Sequence, residues 1–163
     1  MKRTLLFVLA MGVIPVAVDA QSTSAASCAD LSGASPFEDW RTCAEQGDAL
    51  AQYNLGVMYG NGYGVPEDDA EAVRWYRLAA EQGYAEAQYN LGLMYANGEG
   101  VPENRVPENH VLAYMWFNLA AAQGNEVARG NKGTVEGRMT REQIAEAQRM
   151  STEWIEAHPP GGN

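Results

Sequence analysis

Residues 44–59 read Ala-Glu-Gln-Gly-Asp-Ala-Leu-Ala-Gln-Tyr-Asn-Leu-Gly-Val-Met-Tyr, and residues 80–95 read Ala-Glu-Gln-Gly-Tyr-Ala-Glu-Ala-Gln-Tyr-Asn-Leu-Gly-Leu-Met-Tyr. The second copy begins at Ala80, 36 residues after Ala44. Each unit carries two apolar stripes of helical spacing, so this period predicts an all-α solenoid of helix-turn-helix repeats. A stack of helix pairs exposes a long surface and seldom builds a closed pocket, which favours a surface that holds another macromolecule.

The first 20 residues have the pattern of a secretory signal. Lys2 and Arg3 precede an apolar run over residues 5–18, and small residues follow where a signal peptidase would cut. An uncleaved membrane anchor is the alternative, but Pro15 interrupts the run, which is shorter than the roughly 20 residues that span a bilayer. We therefore expect residues 1–20 to be cleaved and the remainder to be periplasmic or secreted.

The charge balance limits the partners. The chain has 11 Lys and Arg residues against 21 Asp and Glu, a net charge of −10. Phosphates of nucleic acids and of anionic membranes require basic residues, so we expect no nucleic-acid partner and no stable membrane insertion after signal cleavage. The acidic surface either serves solubility or suits a basic partner. We expect a monomer.

Both cysteines, Cys28 and Cys43, precede the first full repeat. In an oxidising compartment a bridge between them would close a short loop and stabilise the fold by roughly 3 kcal/mol. A catalytic thiol is the alternative, although no histidine lies nearby in the sequence. Lipid modification of Cys28 is a third interpretation, but this residue lies too far beyond the apolar run. We predict a disulfide.

The rest of the chain divides by its helical patterns. A capping helix is predicted over residues 36–46, and a capping box at Thr140-Arg-Glu-Gln143 predicts the start of a last helix. Asp68 and Glu71 form a similar acidic start within the first repeat. The predicted organisation is a flexible leader at 21–35, a repeat domain at 36–158 with repeats at about 44–79 and 80–120 and a degenerate C-terminal cap at 125–158, and a disordered tail at 159–163.

The second unit contains a local duplication. Val101-Pro-Glu-Asn-Arg105 is followed by Val106-Pro-Glu-Asn109, which adds about five residues to the predicted inter-helix loop at little cost in loop-closure entropy. The insertion is either neutral or a protruding contact loop. The next helix, predicted from His110 to Gln123, is apolar nearly all round and should be the most buried element.

The repeat motif resembles that of a known family. Ala-x-x-x-Leu-Gly-x-x-Tyr, then Gly-x-Gly-Val-Pro, then Ala-x-x-Trp-Tyr-x-x-Ala-Ala-x-x-Gly, is similar to the Sel1-like repeat, a relative of the tetratricopeptide repeat. The resemblance implies a right-handed α/α superhelix and an adaptor role in protein–protein contacts. It implies neither a reaction nor a cofactor.

The resemblance also implies where a ligand would bind. In that family the first helix of each pair lines the concave side, and the motif positions between the packing residues face the ligand. Tyrosine rings would give contact area, and asparagine amides would bond the backbone of a peptide. Alternatively, Asn54 and Asn90 hold neighbouring helices together. The candidate ligand-binding residues are Leu50, Tyr53, Asn54, Val57, Glu86, Tyr89, Asn90 and Leu93.

Signals for chemistry are few. His110 and His158 have no second histidine or cysteine at ligand spacing, so no metal site is predicted. The acidic run from Glu67 to Glu71 lacks the alternation of a calcium loop and is typical of a helix start. No nucleophile or phosphate-loop motif is present, so no catalytic residue is predicted.

The sequence therefore favours an exported, non-enzymatic interaction module or adaptor of the cell envelope. One alternative is a protein that binds or hydrolyses β-lactams, as has been associated with secreted cysteine-rich proteins of similar repeats. Those proteins carry a cysteine pair in each repeat, whereas here both cysteines precede the first unit. The other alternative is a small accessory of an envelope complex that uses its convex face or the loop at residues 101–109.

Overall fold

The structure, a computed structural model, describes residues 27–101 and 106–159, with the backbone alone for 106–108, and every regular element in these ranges is helical. The all-α prediction is confirmed. The predicted signal at 1–20, the first part of the leader, the residues between 101 and 106 and most of the tail lie outside the described residues. After a 3-10 turn at Cys28–Asp30, the helices are α1 (Phe37–Glu45), α2 (Ala49–Asn61), α3 (Asp69–Glu81), α4 (Ala85–Asn97), α5 (Val106–Ala122), α6 (Glu126–Glu136) and α7 (Arg141–Ala157).

Side-chain caps start several helices where the sequence predicts them. Thr140 and Gln143 form the full reciprocal capping box at the start of α7. At α3 the box is half formed: the Asp68 carboxylate accepts from the Glu71 backbone N–H at 3.0 Å, but the Glu71 carboxylate pairs with Arg74 at 2.8 Å. Each cap satisfies a backbone donor that the helix itself cannot bond.

Glycines end the first helix of each full repeat and let the following loops pack. Gly62 and Gly98 end α2 and α4 in the left-handed conformation, with φ of 68° and 78°. Gly100 has φ of 63°, and a Cβ there would lie 2.2 Å from the Asp69 carbonyl oxygen. A side chain at this position would therefore separate the α4–α5 loop from the start of α3.

Each of the helices α1 to α6 packs against its neighbour in sequence, and α7 packs back against α5. Small residues occur where helices approach most closely. A Cβ on Gly56 would lie 2.7 Å from the Tyr76 ring, and a Cβ on Gly92 would lie 2.7 Å from the Phe117 ring. These two pairs occupy equivalent places in successive repeats, so the sequence period is also a packing period.

Helix α5 lies at the centre of the main core and contacts α4, α6 and α7. The burial of Ala113–Phe117 and Leu119–Ala121 confirms the prediction that this helix is deeply buried. Its predicted start at His110 is wrong: α5 begins at Val106, so part of the local duplication extends the helix. Proline is tolerated in a first helical turn, because the N–H that it lacks has no partner there.

A second, smaller core closes the N-terminal end. It contains Trp40, Cys43, Leu55 and Trp75 together with two alanines. A disulfide joins Cys28 to Cys43 and attaches the 3-10 turn to α1. Part of the predicted leader is therefore fixed to the fold.

A ladder of glutamine amides, which the repeat pattern did not predict, ties the helices of each unit together. Gln82 Nε2 donates to the Gly47 carbonyl at 2.9 Å and to Gln52 Oε1 at 2.7 Å. In the next unit Gln123 Nε2 donates to Gln88 Oε1 at 2.9 Å. Because Gln88 is fully buried, these bonds satisfy amide groups that would otherwise be costly to bury.

Within the described ranges, no helix combines the length and the apolar character required to cross a membrane.

Candidate protein-binding surface

The eight candidate residues lie on α2 and α4, and none of them is fully buried. We call the surface that they form the α2–α4 surface. Leu50 is 43% exposed, Glu86 is exposed, and the other six are half-buried. Each of these six side chains therefore has one part exposed to solvent and another part buried against the protein. The members of the α2–α4 surface are Leu50, Tyr53, Asn54, Val57, Glu86, Tyr89, Asn90 and Leu93.

Helices α3 and α5 support the two tyrosines of this surface from behind. The Tyr53 ring lies 6.0 Å from the Tyr76 ring, and the Tyr89 ring lies 6.0 Å from the Phe117 ring, both tilted at 44°. Buried aromatic contacts of this kind restrict the side-chain rotamers. Tyr53 and Tyr89 are therefore held in place before any partner arrives, which lowers the entropy cost of binding.

Tyr84 belongs to the same surface, although the sequence analysis did not select it. Its ring centroid lies 5.2 Å from that of Tyr53, the closest approach of two tyrosine rings among the described residues. Tyr84 occupies the N-cap of α4, where Asp48 and Asn125 occupy the N-caps of α2 and α6. Asp48 and Asn125 each accept a backbone N–H, whereas Tyr84 makes no side-chain cap.

A tyrosine at the N-cap of α4, in place of a capping Asp or Asn, lowers the stability of the helix. A missing Asp or Asn cap lowers helix stability by about 1 kcal/mol. The two copies of the repeated stretch differ at only a few positions, and Asp48 against Tyr84 is one of them. The sequence signal for Tyr84 is that a capping residue in the first copy is replaced by a tyrosine, which cannot cap, in the second.

The asparagines of the surface interact with other residues of the protein. Asn54 Nδ2 donates to the Leu50 carbonyl at 2.8 Å, one turn earlier in α2. The Asn90 side chain on α4 lies close enough to Tyr53 on α2 and Tyr76 on α3 to act against the rise in their pKa values. This arrangement favours the interpretation that Asn90 holds neighbouring helices together.

The environment of Tyr53 and Tyr84 raises their pKa values. Burial raises the pKa of Tyr53, and the negative charge of Glu86 raises it further. For Tyr84, burial is again the main cause, followed by the charge of Glu86 and the nearby Tyr53 and Asp48. The hydroxyls of Tyr53 and Tyr84 therefore lie in a region of negative potential and stay protonated at neutral pH.

Burial raises the pKa of Tyr76 from 10.0 to about 12, which predicts a pH dependence of stability. Below pH 10 the Tyr76 hydroxyl is protonated in both the folded and the unfolded protein, so its pKa shift does not lower stability. Above pH 10 the hydroxyl loses its proton in the unfolded protein first, so the free energy of unfolding falls as pH rises to about 12. The loss should reach roughly 2 kcal/mol. Denaturant unfolding of wild type and Tyr76→Phe at several pH values measures it, and an equal pH slope in both proteins would contradict the prediction.

The histidines and acidic residues do not form a metal cluster in the described part of the chain. No three His, Cys, Asp or Glu side chains there converge at metal-binding distance. His158 stacks on Trp154 with ring centroids 4.2 Å apart, and its Nδ1 lies 2.8 Å from the Trp154 carbonyl oxygen. His158 is thus part of the packing at the end of α7.

Comparison with known proteins agrees with this geometry. The family model described as Sel1 repeat matches residues 49–84 and 85–125. No curated protein matches the chain. A solved structure of a protective antigen present in uropathogenic Escherichia coli strains, which displays an SLR fold, is 35% identical with a TM-score of 0.69, over 76% of this chain and 26% of that one. A Sel1 repeat protein from Oxalobacter formigenes is 37% identical with a TM-score of 0.55, over 60% of this chain and 38% of that one.

This chain therefore spans between about a quarter and two fifths of the length of these relatives. Both are proteins of the same repeat type, and the all-helical structure has the matching architecture. The chain contains two consecutive Sel1 repeats and has the all-helical repeat fold of Sel1-type proteins.

Proposed function

We propose that this chain is an exported interaction module that binds an extended peptide segment of a partner protein on its α2–α4 surface, without catalysing a reaction. Sel1-repeat proteins generally mediate protein–protein interactions, which supports the general role. The signal pattern at residues 1–20 and the disulfide between Cys28 and Cys43 support export to the envelope or beyond it, because disulfides persist in oxidising compartments.

The accessible pair formed by Tyr53 and Tyr84 is the observation that carries the choice of this surface. The two rings come from α2 and from the start of α4, so they bridge successive repeats. Tyrosine is one of the residue types enriched among those that dominate binding energy at protein interfaces. Tyr84 also occupies a position where its repeat equivalents serve as helix caps.

Affinity capture from envelope extract tests this proposal. The bait is the full chain, expressed so that the host can process its N-terminus, beside a Tyr53→Ala, Tyr89→Ala double variant shown by circular dichroism to be folded. We expect a specific partner to bind the wild type. The amount recovered with the variant should be at least tenfold lower, because two aromatic contacts are removed.

Two exposed apolar residues outside the α2–α4 surface provide the matched control. Leu78 on α3 and Ile155 on α7 are 37% and 43% exposed, so a Leu78→Ala, Ile155→Ala variant removes a similar kind of surface elsewhere. The partner should remain bound to this variant. If the partner is lost with the control variant and retained with the tyrosine variant, the interface lies on another face of the protein.

A further inference from the structure

The chemistry around Tyr84 specifies which kind of side chain the α2–α4 surface can accept. Glu86 lies two residues after Tyr84 in the first turn of α4, is exposed, and has no ion-pair partner among the described residues. Asp48 caps α2 by accepting the Ala51 N–H at 2.8 Å, and it also acts on Tyr84 through its charge. Two carboxylates therefore flank the Tyr53–Tyr84 ring pair.

Most basic side chains of the described residues have partners elsewhere, and no described ion pair joins one of them to Glu86 or Asp48. Several pair with a glutamate on their own helix, as Arg129 does with Glu126 at 2.5 Å. Others bond polar groups of the core helices, as Lys132 does with Asn118 at 3.1 Å. The net charge of −10 on the whole chain favours a basic partner for these carboxylates.

The protein already contains one example of the complete arrangement. The Arg74 guanidinium lies 4.1 Å from the ring centroid of Trp75 and pairs with Glu71 at 2.8 Å. A cation over an aromatic face beside a carboxylate gains from both interactions, because the ring quadrupole and the negative charge attract it together. At Tyr84 the ring and the carboxylate are present, and no cation of the described residues lies over the ring.

We propose that Tyr53, Tyr84 and Glu86 form a subsite for an arginine side chain of the peptide that binds the α2–α4 surface. This inference rests on the proposed function and adds the chemistry of the ligand. Arginine suits the site better than lysine, because a planar guanidinium can stack on a tyrosine ring and bond a carboxylate through two N–H groups. An acidic segment would be repelled by Glu86 and Asp48.

The test uses three short probe peptides that differ at one position: acetyl-Gly-Ser-Arg-Ser-Gly-amide and the same peptide with Lys or Gln in place of Arg. Each is titrated into the full-length protein, and binding is followed by NMR chemical shifts. We expect the Arg peptide to bind about tenfold more tightly than the Gln peptide, with the Lys peptide between them. Higher salt should reduce the difference, since part of it is electrostatic.

Variants then assign the effect to the site. Glu86→Gln should weaken binding of the Arg peptide roughly fivefold and leave binding of the Gln peptide unchanged. Glu156→Gln, on the exposed side of α7, removes the same charge elsewhere and should have no effect. Tyr84→Ala should weaken binding of the Arg peptide, whereas Tyr84→Phe should retain it, because the aromatic face and not the hydroxyl attracts the cation.

Three results would overturn the subsite. Equal affinity for the Arg and Gln peptides would remove the cation preference but leave a peptide-binding surface. An equal loss with Glu86→Gln and Glu156→Gln would show that net charge, and not this site, attracts the peptide. Failure of every peptide to bind would reject the subsite, while the envelope capture with the tyrosine variant would still decide the proposed function.

Discussion

Replacing Phe117 by Ala is expected to lower the free energy of unfolding by about 4 kcal/mol, measured by urea denaturation followed by circular dichroism. The Phe117 side chain is fully buried in α5, the helix that contacts α4, α6 and α7. Its ring covers Gly92 and packs against Tyr89. Removing it would leave a cavity between α4 and α5. Phe117→Leu, which retains most of the apolar volume, should cost less than about 2 kcal/mol.

The contact between Phe117 and Gly92 allows a sharper control. A methyl group added by Gly92→Ala would lie 2.7 Å from the Phe117 ring, so it should destabilise wild type by overpacking. In the Phe117→Leu background the ring is absent and the same change should cost less. We expect a coupling energy of about 1–2 kcal/mol between the two positions. Additive effects would show that the α4–α5 contact is looser than the structure indicates.

Removing the disulfide is expected to cost about 3 kcal/mol, the second-largest effect, because Cys28 and Cys43 are separated by 15 residues and the bridge restricts the unfolded chain. The test compares thermal unfolding of the oxidised protein with that of a Cys28→Ser, Cys43→Ala variant. Alanine suits position 43, since that side chain is buried beside Trp40. The variant should unfold at a clearly lower temperature.

Reducing agent provides the matched control for this prediction. It should lower the unfolding temperature of wild type to near that of the Cys28→Ser, Cys43→Ala variant and leave the variant unchanged. An unfolding temperature of wild type that does not respond to reductant would show either that the bridge does not form in the purified protein or that it does not stabilise the native state.

The helices follow closely from sequence because their signals are local. Apolar residues at three- and four-residue steps, capping side chains such as Thr140 and glycines such as Gly62 act within one or two turns of the chain. The prediction was less accurate for α5, whose start at Val106 depends on how a duplicated segment continues the helix. For Glu71, a local partner at Arg74 replaced the predicted backbone bond.

The candidate site was predicted only in part. The motif located the eight residues of the α2–α4 surface within the two helices, but it does not mark Tyr84, which lies just before α4 at the N-cap position. The glutamine ladder was not predicted for a different reason. Gln82 meets Gln52, and Gln123 meets Gln88, across helices, and no local pattern marks such pairs.

The sequence by itself determined the period, the helical character and the repeat type of this protein, since these arise from interactions between residues close together along the chain. Only the tertiary structure showed that Tyr53 and Tyr84 share one surface and that the Asn90 side chain lies close to Tyr53 and Tyr76. It also showed Glu86 without an ion-pair partner among the described residues. Contacts of this kind depend on how far apart and at what angle successive helices pack, and the side chains of both helices together set that geometry.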